Sequence, residues 1–291
     1  TIADHMDEPF CEGSTFPIYH ICRYAKNHVD VLLAGEGSDE IFGGYETYMA
    51  SSKAKWYLLL PPPLRSLVRN LAHRLPVSDN KVSLDFKLRR FTDGAQFAPA
   101  KAHFWWRSSL NDRDRGQVLD VDFARRLERP FASELYEQAF ARFPGGDILN
   151  RLMAVDATIH LPDDLLYRAD LMSMANTLEL RVPFLDIELV KLAFSIPSKL
   201  KIRGFNNKIP LRKAMAGKVP DDVRKRPKKG LNIPYQKWFK RPRWKSFLHD
   251  TLTRDRVTKG GILDFRGVQS LLTQHEAGRH DHAHGLWTIV N

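Results

Sequence analysis

The stretch that most constrains this chain runs from Val29 to Tyr45. An apolar segment, Val29 to Ala34, ends directly in Gly35 Glu36 Gly37 Ser38 Asp39 Glu40 Ile41 Phe42 Gly43 Gly44 Tyr45. A short run of β-forming residues followed by glycines predicts a strand, a tight turn and a helix, with Ser38 as the expected N-cap. A helix predicted over Phe16 to Asn27 precedes the strand. In an open α/β sheet, ligands bind beyond the C-terminal ends of the strands, which makes Glu36 and Asp39 candidate site acids. Seen alone, an acid in such a turn is more often a cap or a solvated group.

Beyond this unit the β signal fades. Pro61 Pro62 Pro63 marks a stiff break, after which Leu64, Leu67, Val68, Leu71 and Leu75 repeat at helical spacing and predict an amphipathic helix. Further helices are expected near 84–91, 101–109, 131–143 and 148–160, with Pro144 Gly145 Gly146 as punctuation. Pro162 suits the first turn of a polar helix on which Asp164, Tyr167, Arg168 and Leu171 share one face. Leu180 to Asp186 reads as an extended link ending in an Asp cap for a helix over Ile187 to Ile196, with Arg181 bracing the link through an ion pair. Arg226 to Gly230, RPKKG, is a loop whose proline and glycine present two lysines, and the tail from Trp244 to Val290 is helical in pattern.

Composition bounds the classes. At 291 residues, with 43% hydrophobic and 27% charged residues, the chain is long enough to bury a sizeable core and is neither disordered nor membrane-like in content. The net charge of +11 suits phosphate-bearing partners, but the cations are dispersed and form no groove-length stripe, so a nucleic-acid-binding helical module is the weaker reading. No window approaches the ~18 apolar residues of a membrane span, and no membrane partner is expected. Cys11 and Cys22 show no disulfide or zinc pattern, so a reducing, cytoplasmic setting fits. His280, His282 and His284 alternate as on a strand within helical flanks, which favours exposure or capping over a metal site. Trp105 and Trp106 read as packing residues.

Three ordered stretches, VLLAGEGSDEIFGGY (31–45), LLYRADLMSMANTLELRVPFLD (165–186) and RPKKGLNIPYQKWF (226–239), resemble the synthetase domain of glutamine-hydrolysing asparagine synthetases. DEPFCEGSTFPIY (7–19) and HEAGRHDHAHGLW (275–287) extend the resemblance over nearly the whole chain. It implies an adenine-nucleotide alpha-hydrolase-like α/β fold with a parallel sheet in the parent domain. This portion is then predominantly helical with a truncated sheet, with 1–50 the α/β remnant and 51–291 mainly helical.

The resemblance further implies an amide-forming ligase that adenylates the side chain of aspartate with ATP and Mg2+ and then lets ammonia displace AMP. By residue, Asp39 matches a magnesium-binding position, and Lys228 a lysine that steadies pyrophosphate and intermediate. Glu36 and Asp164 match acids able to accept a proton, and Tyr45 a group that orients the acid or the lysine. Gly35, Gly37, Ser38 and Lys229 fall around the nucleotide, with Lys229 the alternative to Lys228. β-Lactam synthetases and related amidotransferases use the same chemistry on other carboxylates, so the acid stays open, as does the oligomeric state.

Two parts of that family's pattern are absent from these 291 residues. One is the glycine-rich pyrophosphate loop of form SGGxDS. Gly145 Gly146 Asp147 and Gly260 to Asp264 neither follow a β-run nor supply its serines. The other is the glutaminase domain with its N-terminal cysteine, the ammonia source in such enzymes. The expectation is therefore a piece of a longer protein that binds ATP poorly alone and holds Val31 to Ala34 in a stunted sheet with an exposed edge.

Overall fold

The computed structural model describes residues 2–8, 12–76, 83–110, 112–127, 132–228, 230–231 and 233–291. After a single 3-10 turn, helix α1 (Thr15–Ala25) leads into strand β1 (Val31–Leu33), and the Gly-rich turn opens the five-residue helix α2 (Ser38–Phe42). Helices α3 (Glu46–Leu58), α4 (Pro62–Arg74), α5 (Leu84–Gly94), α6 (Pro99–Arg107), α7 (Asp112–Val118) and α8 (Val121–Arg126) follow. Next come α9 (Ala132–Ala141), α10 (Ile148–Thr158), a π-helical turn over Leu161–Leu166, and α11 (Tyr167–Met174). Strand β2 (Glu179–Arg181) and α12 (Ile187–Ser195) precede further helices, of four to twelve residues, that continue to Val290.

Among the described residues the sheet has two parallel strands, with Val31 opposite Glu179, Leu32 opposite Leu180 and Leu33 opposite Arg181. The stretch read as an extended link is thus partly a strand. Its backbone pairs with β1, and the ladder is extended by Glu179 N–H donating to Asp30 O and Ala34 N–H to Arg181 O. Parallel strands are ordinarily covered on both faces. Here Val31 and Leu33 are 40% and 68% exposed, the stunted sheet anticipated above. Arg181 pairs with Glu179 at 2.8 Å, bracing β2 itself.

Of the two expected caps, the one at Asp186 is realised and the one at Ser38 is not. Asp186 caps α12 by accepting from the amides of Glu188 and Leu189, and Asp147 caps α10 by accepting from Asn150. Ser38 does not cap α2. It is the first helical residue, the cap is Gly37 in the left-handed region at φ 86°, and the Ser38 hydroxyl donates back to Gly35 O at 2.7 Å. A Cβ at position 37 would also strike Leu185 at 2.2 Å, so both backbone and packing demand glycine.

The core is divided. Around the Gly-rich turn, Ile41 and Phe42 pack on Ala193, while Tyr48, Leu152, Met153 and Ile202 form a neighbouring cluster. A third centre lies in the C-terminal quarter, where Tyr235, Phe239, Leu248, Leu271, Leu286 and Trp287 enclose one another, with Tyr235 and Trp287 stacked at 5.8 Å. In the histidine-rich stretch His280 is exposed and His282 stands at the N-cap of the last helix, Ala283–Val290, while His275 is buried and the His284 ring nitrogen meets the Ser109 hydroxyl at 3.0 Å.

Helix α4 forms where the leucine spacing predicts it, but its leucine stripe faces outward. Leu64, Leu67 and Leu71 are 42%, 53% and 54% exposed, while Ala72 is buried and Arg69 pairs with Asp93 on the inner side.

Candidate active site

A cavity of about 1190 Å3 opens at the C-terminal end of β1. Gly35, Glu36, Gly37, Ser38, Asp39 and Tyr45 line it from the Gly-rich turn, Asp164 from the π-helical turn, and Lys228 from the loop after Lys225. Eight of the nine expected site residues therefore meet in one space. The ninth, Lys229, lies outside the described residues.

The most ordered part of the site is a carboxylate between two ammonium groups. Lys208 Nζ lies 2.8 Å from Asp39 Oδ1, and Lys228 Nζ lies 2.5 Å from Asp39 Oδ2. Lys208 also donates to the Ser38 hydroxyl at 2.9 Å. Burial would push the Asp39 carboxyl up, but the two lysines together outweigh it and hold it below the ordinary carboxylate range. The backbone makes the space. A Cβ on Gly44 would come within 1.7 Å of Asp39 Oδ1 and 2.4 Å of Lys208 Cε.

Tyr45 is tied to an acid other than Glu36. Its hydroxyl donates to Glu40, which is buried, and its ring lies beneath the Arg107 guanidinium at 4.4 Å and 5.7 Å from Lys228 Nζ. Burial raises the Glu40 carboxyl above its usual range despite the Tyr45 bond. Glu36, by contrast, is half-buried and makes no hydrogen bond or ion pair among the described residues, so its carboxylate is open to the cavity.

Asp164 sits across the cavity in a mixed environment. His160 Nδ1 lies 3.3 Å from Asp164 Oδ2, and Arg168 Nη1 lies 3.6 Å from Oδ1. Burial dominates and lifts the Asp164 carboxyl to about 6, with Arg168 opposing and Glu12 reinforcing the shift. A carboxyl that titrates near neutrality is suited to accept and release a proton. His160 is driven the other way, to about 3, by burial and by Arg107, so it stays neutral in the working range. Asp164 and Arg168, one turn apart, meet as a shared face predicts, while the Tyr167 hydroxyl donates to Asp7 at 3.4 Å.

Beneath the site lies a buried charge network. Asp156 Oδ2 accepts from the Tyr48 hydroxyl at 2.5 Å and from Arg107 at 3.3 Å, and meets His103 Nε2 at 2.8 Å. Arg107 thereby joins this network to the Tyr45 ring at the cavity wall.

Lys208, Glu40, Arg107 and His160 also line the cavity, and sequence reasoning did not single them out. Lys208 stands immediately before the short helix Ile209–Ala214. It adopts φ 51°, a left-handed conformation uncommon outside glycine, and that bend delivers its side chain to Asp39. Glu40 stands next to a singled-out acid, which was the available signal. Nothing local marks Arg107 or His160.

The composition of the site suits a bound polyphosphate, since Lys208, Lys228 and the Ser38 hydroxyl converge beside one carboxylate. Magnesium is commonly held by one or two carboxylates with substrate phosphates supplying further oxygens. Asp39 fits that donor set. Its Oδ1, although close to Lys208, lacks a hydrogen bond of good geometry and so retains acceptor capacity. No group of three or more metal-ligating side chains occurs among the described residues.

Comparison with known sequences gives the class in which this cavity belongs. The sequence profile described as asparagine synthase matches residues 1–291, and the chain belongs to that family. The family fold is adenine-nucleotide hydrolase-like, seen here as a mostly helical body on a small parallel sheet, and the family uses ATP. The chain is 30% identical to asparagine synthetase (glutamine-hydrolysing) 1 of Bacillus subtilis over 98% of its own length and 43% of the relative's. A Mycobacterium tuberculosis protein provisionally named as the same type of enzyme is 31% identical, over 98% and 42%. A Gibberella zeae protein named amidase chry2 is 23% identical, over 84% and 38%. The chain spans about two fifths of the length of these curated relatives.

Proposed function

We propose that this chain carries the centre of an ATP-dependent, amide-forming ligase that activates a carboxylic acid, with aspartate as the acid and asparagine as the product. One observation carries the reading: Glu36, Asp39, Asp164 and Lys228, drawn from three distant stretches of sequence, line a single cavity at a strand end.

In the first half-reaction, a carboxylate oxygen of the acid attacks the α-phosphorus of ATP. The bond to the bridging oxygen breaks and pyrophosphate leaves. Two anions must approach closely, and Lys208 and Lys228 are placed to offset that repulsion and the charge that builds on the leaving group. Asp39 would hold a magnesium ion together with the phosphates, and that ion would supply further charge neutralisation.

In the second half-reaction, ammonia attacks the acyl carbon, the carbon–oxygen bond to AMP breaks, and the nitrogen gives up a proton. Glu36 is open to the cavity and Asp164 titrates near neutrality, so either carboxylate can take that proton. Tyr45 keeps Glu40 occupied and presents its ring to Lys228. Ammonia would come from glutamine hydrolysed by another domain of the full-length enzyme, in cytoplasmic conditions.

The test is AMP and pyrophosphate release by the full-length protein with ATP, magnesium, ammonia and a panel of acids. Release that requires aspartate and is lost in Glu36→Ala and Lys228→Ala supports asparagine synthesis. A second reading keeps the chemistry and changes the acid, and it is favoured by the similarity to proteins named amidases. Release with another acid selects it, and release with no acid overturns both.

A further inference from the structure

Helix α4 turns its leucine row outward. On its inner side, with Val68 and the buried Ala72, Arg69 Nε and His73 Nε2 both reach Asp93, at 2.7 and 3.0 Å, and Tyr57 donates to the Arg65 backbone carbonyl at 3.1 Å. Arg89 further ties α5 to the carbonyls of Ala72 and Leu75 at the end of α4. These contacts fix the rotation of the helix. Leu64, Leu67 and Leu71, one row at spacings of three and four, are left facing solvent. Trp56, near the end of α3, and Leu59 just after it are also exposed, at 65% and 74%. Isolated surface leucines need no explanation, but three exposed leucines in one row on a helix mark an interaction surface.

The charge around this row narrows the partner. From Thr47 to Ser78 the chain contains Lys53, Lys55, Arg65, Arg69 and Arg74 and no Asp or Glu. Lys55 and Arg74 are exposed, and Lys55 Nζ lies 5.4 Å from the Trp56 ring. Leucines with an indole at the edge and basic groups alongside form the pattern of a helix that lies in a lipid interface. There the apolar side chains enter the acyl boundary, the tryptophan sits at headgroup depth and the long cations reach anionic headgroups. A second copy packed symmetrically on this surface would bring the exposed Lys55 and Arg74 of both copies together, which repulsion opposes.

We infer that α4 and the end of α3 form a peripheral docking surface for an anionic lipid bilayer. No helix among the described residues is long and apolar enough to cross a membrane, and none is needed for a helix that lies on one. The sequence-based expectation of no membrane partner rested on the lack of a span. It did not address a surface contact, because the sequence alone does not say which side of α4 faces out.

The experiment is flotation of the full chain with vesicles of phosphatidylcholine alone or mixed with phosphatidylglycerol, at low and high salt. Flotation with the anionic vesicles, weakened by salt, is expected. Leu67→Glu with Leu71→Glu should lower the partition coefficient at least about tenfold, with the melting temperature unchanged because both positions are exposed. Lys55→Gln with Arg74→Gln should lower binding to anionic vesicles alone. No flotation in either lipid, or flotation insensitive to the glutamates, overturns the inference. So does a concentration-dependent dimer that the glutamates dissolve, which would give the surface to a second copy.

Discussion

Lys228 and Asp39 are 189 positions apart in the chain, yet their side chains meet at 2.5 Å, on the opposite carboxylate oxygen from the one beside Lys208. Removing either lysine leaves a buried carboxylate with half its compensation. Lys208→Met and Lys228→Met are each expected to lower the rate of pyrophosphate release about a hundredfold or more, with KM for ATP rising in parallel. Because the lysines hold Asp39 below its unfolded pKa, the stability it contributes is present above about pH 4 and is lost as pH falls through the lowered folded value. Acid denaturation of Asp39→Asn should lack that component.

Asp164 has the opposite sign. Burial raises its folded pKa to about 6, so it favours the folded state while protonated and costs stability as pH rises through that value. If Asp164 takes the proton from ammonia, the rate at saturating ammonia rises through pH 6 in the native protein and loses that limb in Asp164→Asn. The same substitution should raise stability at pH 8 relative to pH 5, by about 2 kcal/mol or less once partial solvent access is allowed for. Denaturant melts at the two pH values check this.

Asp156 holds three donors on one oxygen with no exposure to solvent. Asp156→Ala leaves the Arg107 charge buried and unpaired and should cost about 3–5 kcal/mol. Tyr48→Phe removes one bond and should cost about 1–2 kcal/mol. Urea denaturation of the three proteins distinguishes the two magnitudes.

Gly44→Ala places a methyl group where Asp39 Oδ1 and Lys208 Cε now lie. The expected outcome is loss of most activity with a smaller loss of stability, since the disturbed residues are polar groups of the site. Activity and melting temperature measured on the same preparation decide it.

What the sequence determined by itself is what acts within one or two turns of chain. Asp147 and Asp186 cap their helices because the accepting oxygen and the donating amides are two or three residues apart. The strand at Val31–Leu33 and the glycines after it were legible for the same reason. The long ordered motifs also made Glu36, Asp39, Asp164 and Lys228 recognisable as candidates from their resemblance to a family, before any of them was placed in space.

Tertiary structure decided the rest. The pairing of β1 with β2 joins segments nearly 150 residues apart, and a three-residue strand read alone is indistinguishable from an extended link. Lys208 enters the site through a left-handed backbone angle set by its surroundings, and Arg107 through a buried partner on a different helix. The same holds for α4, whose period of 3.6 established a helix with an apolar side and could not say which side would be covered. Periodicity fixes angles about a helix axis, whereas burial depends on what packs against it, and Asp93 drew the arginine side inward.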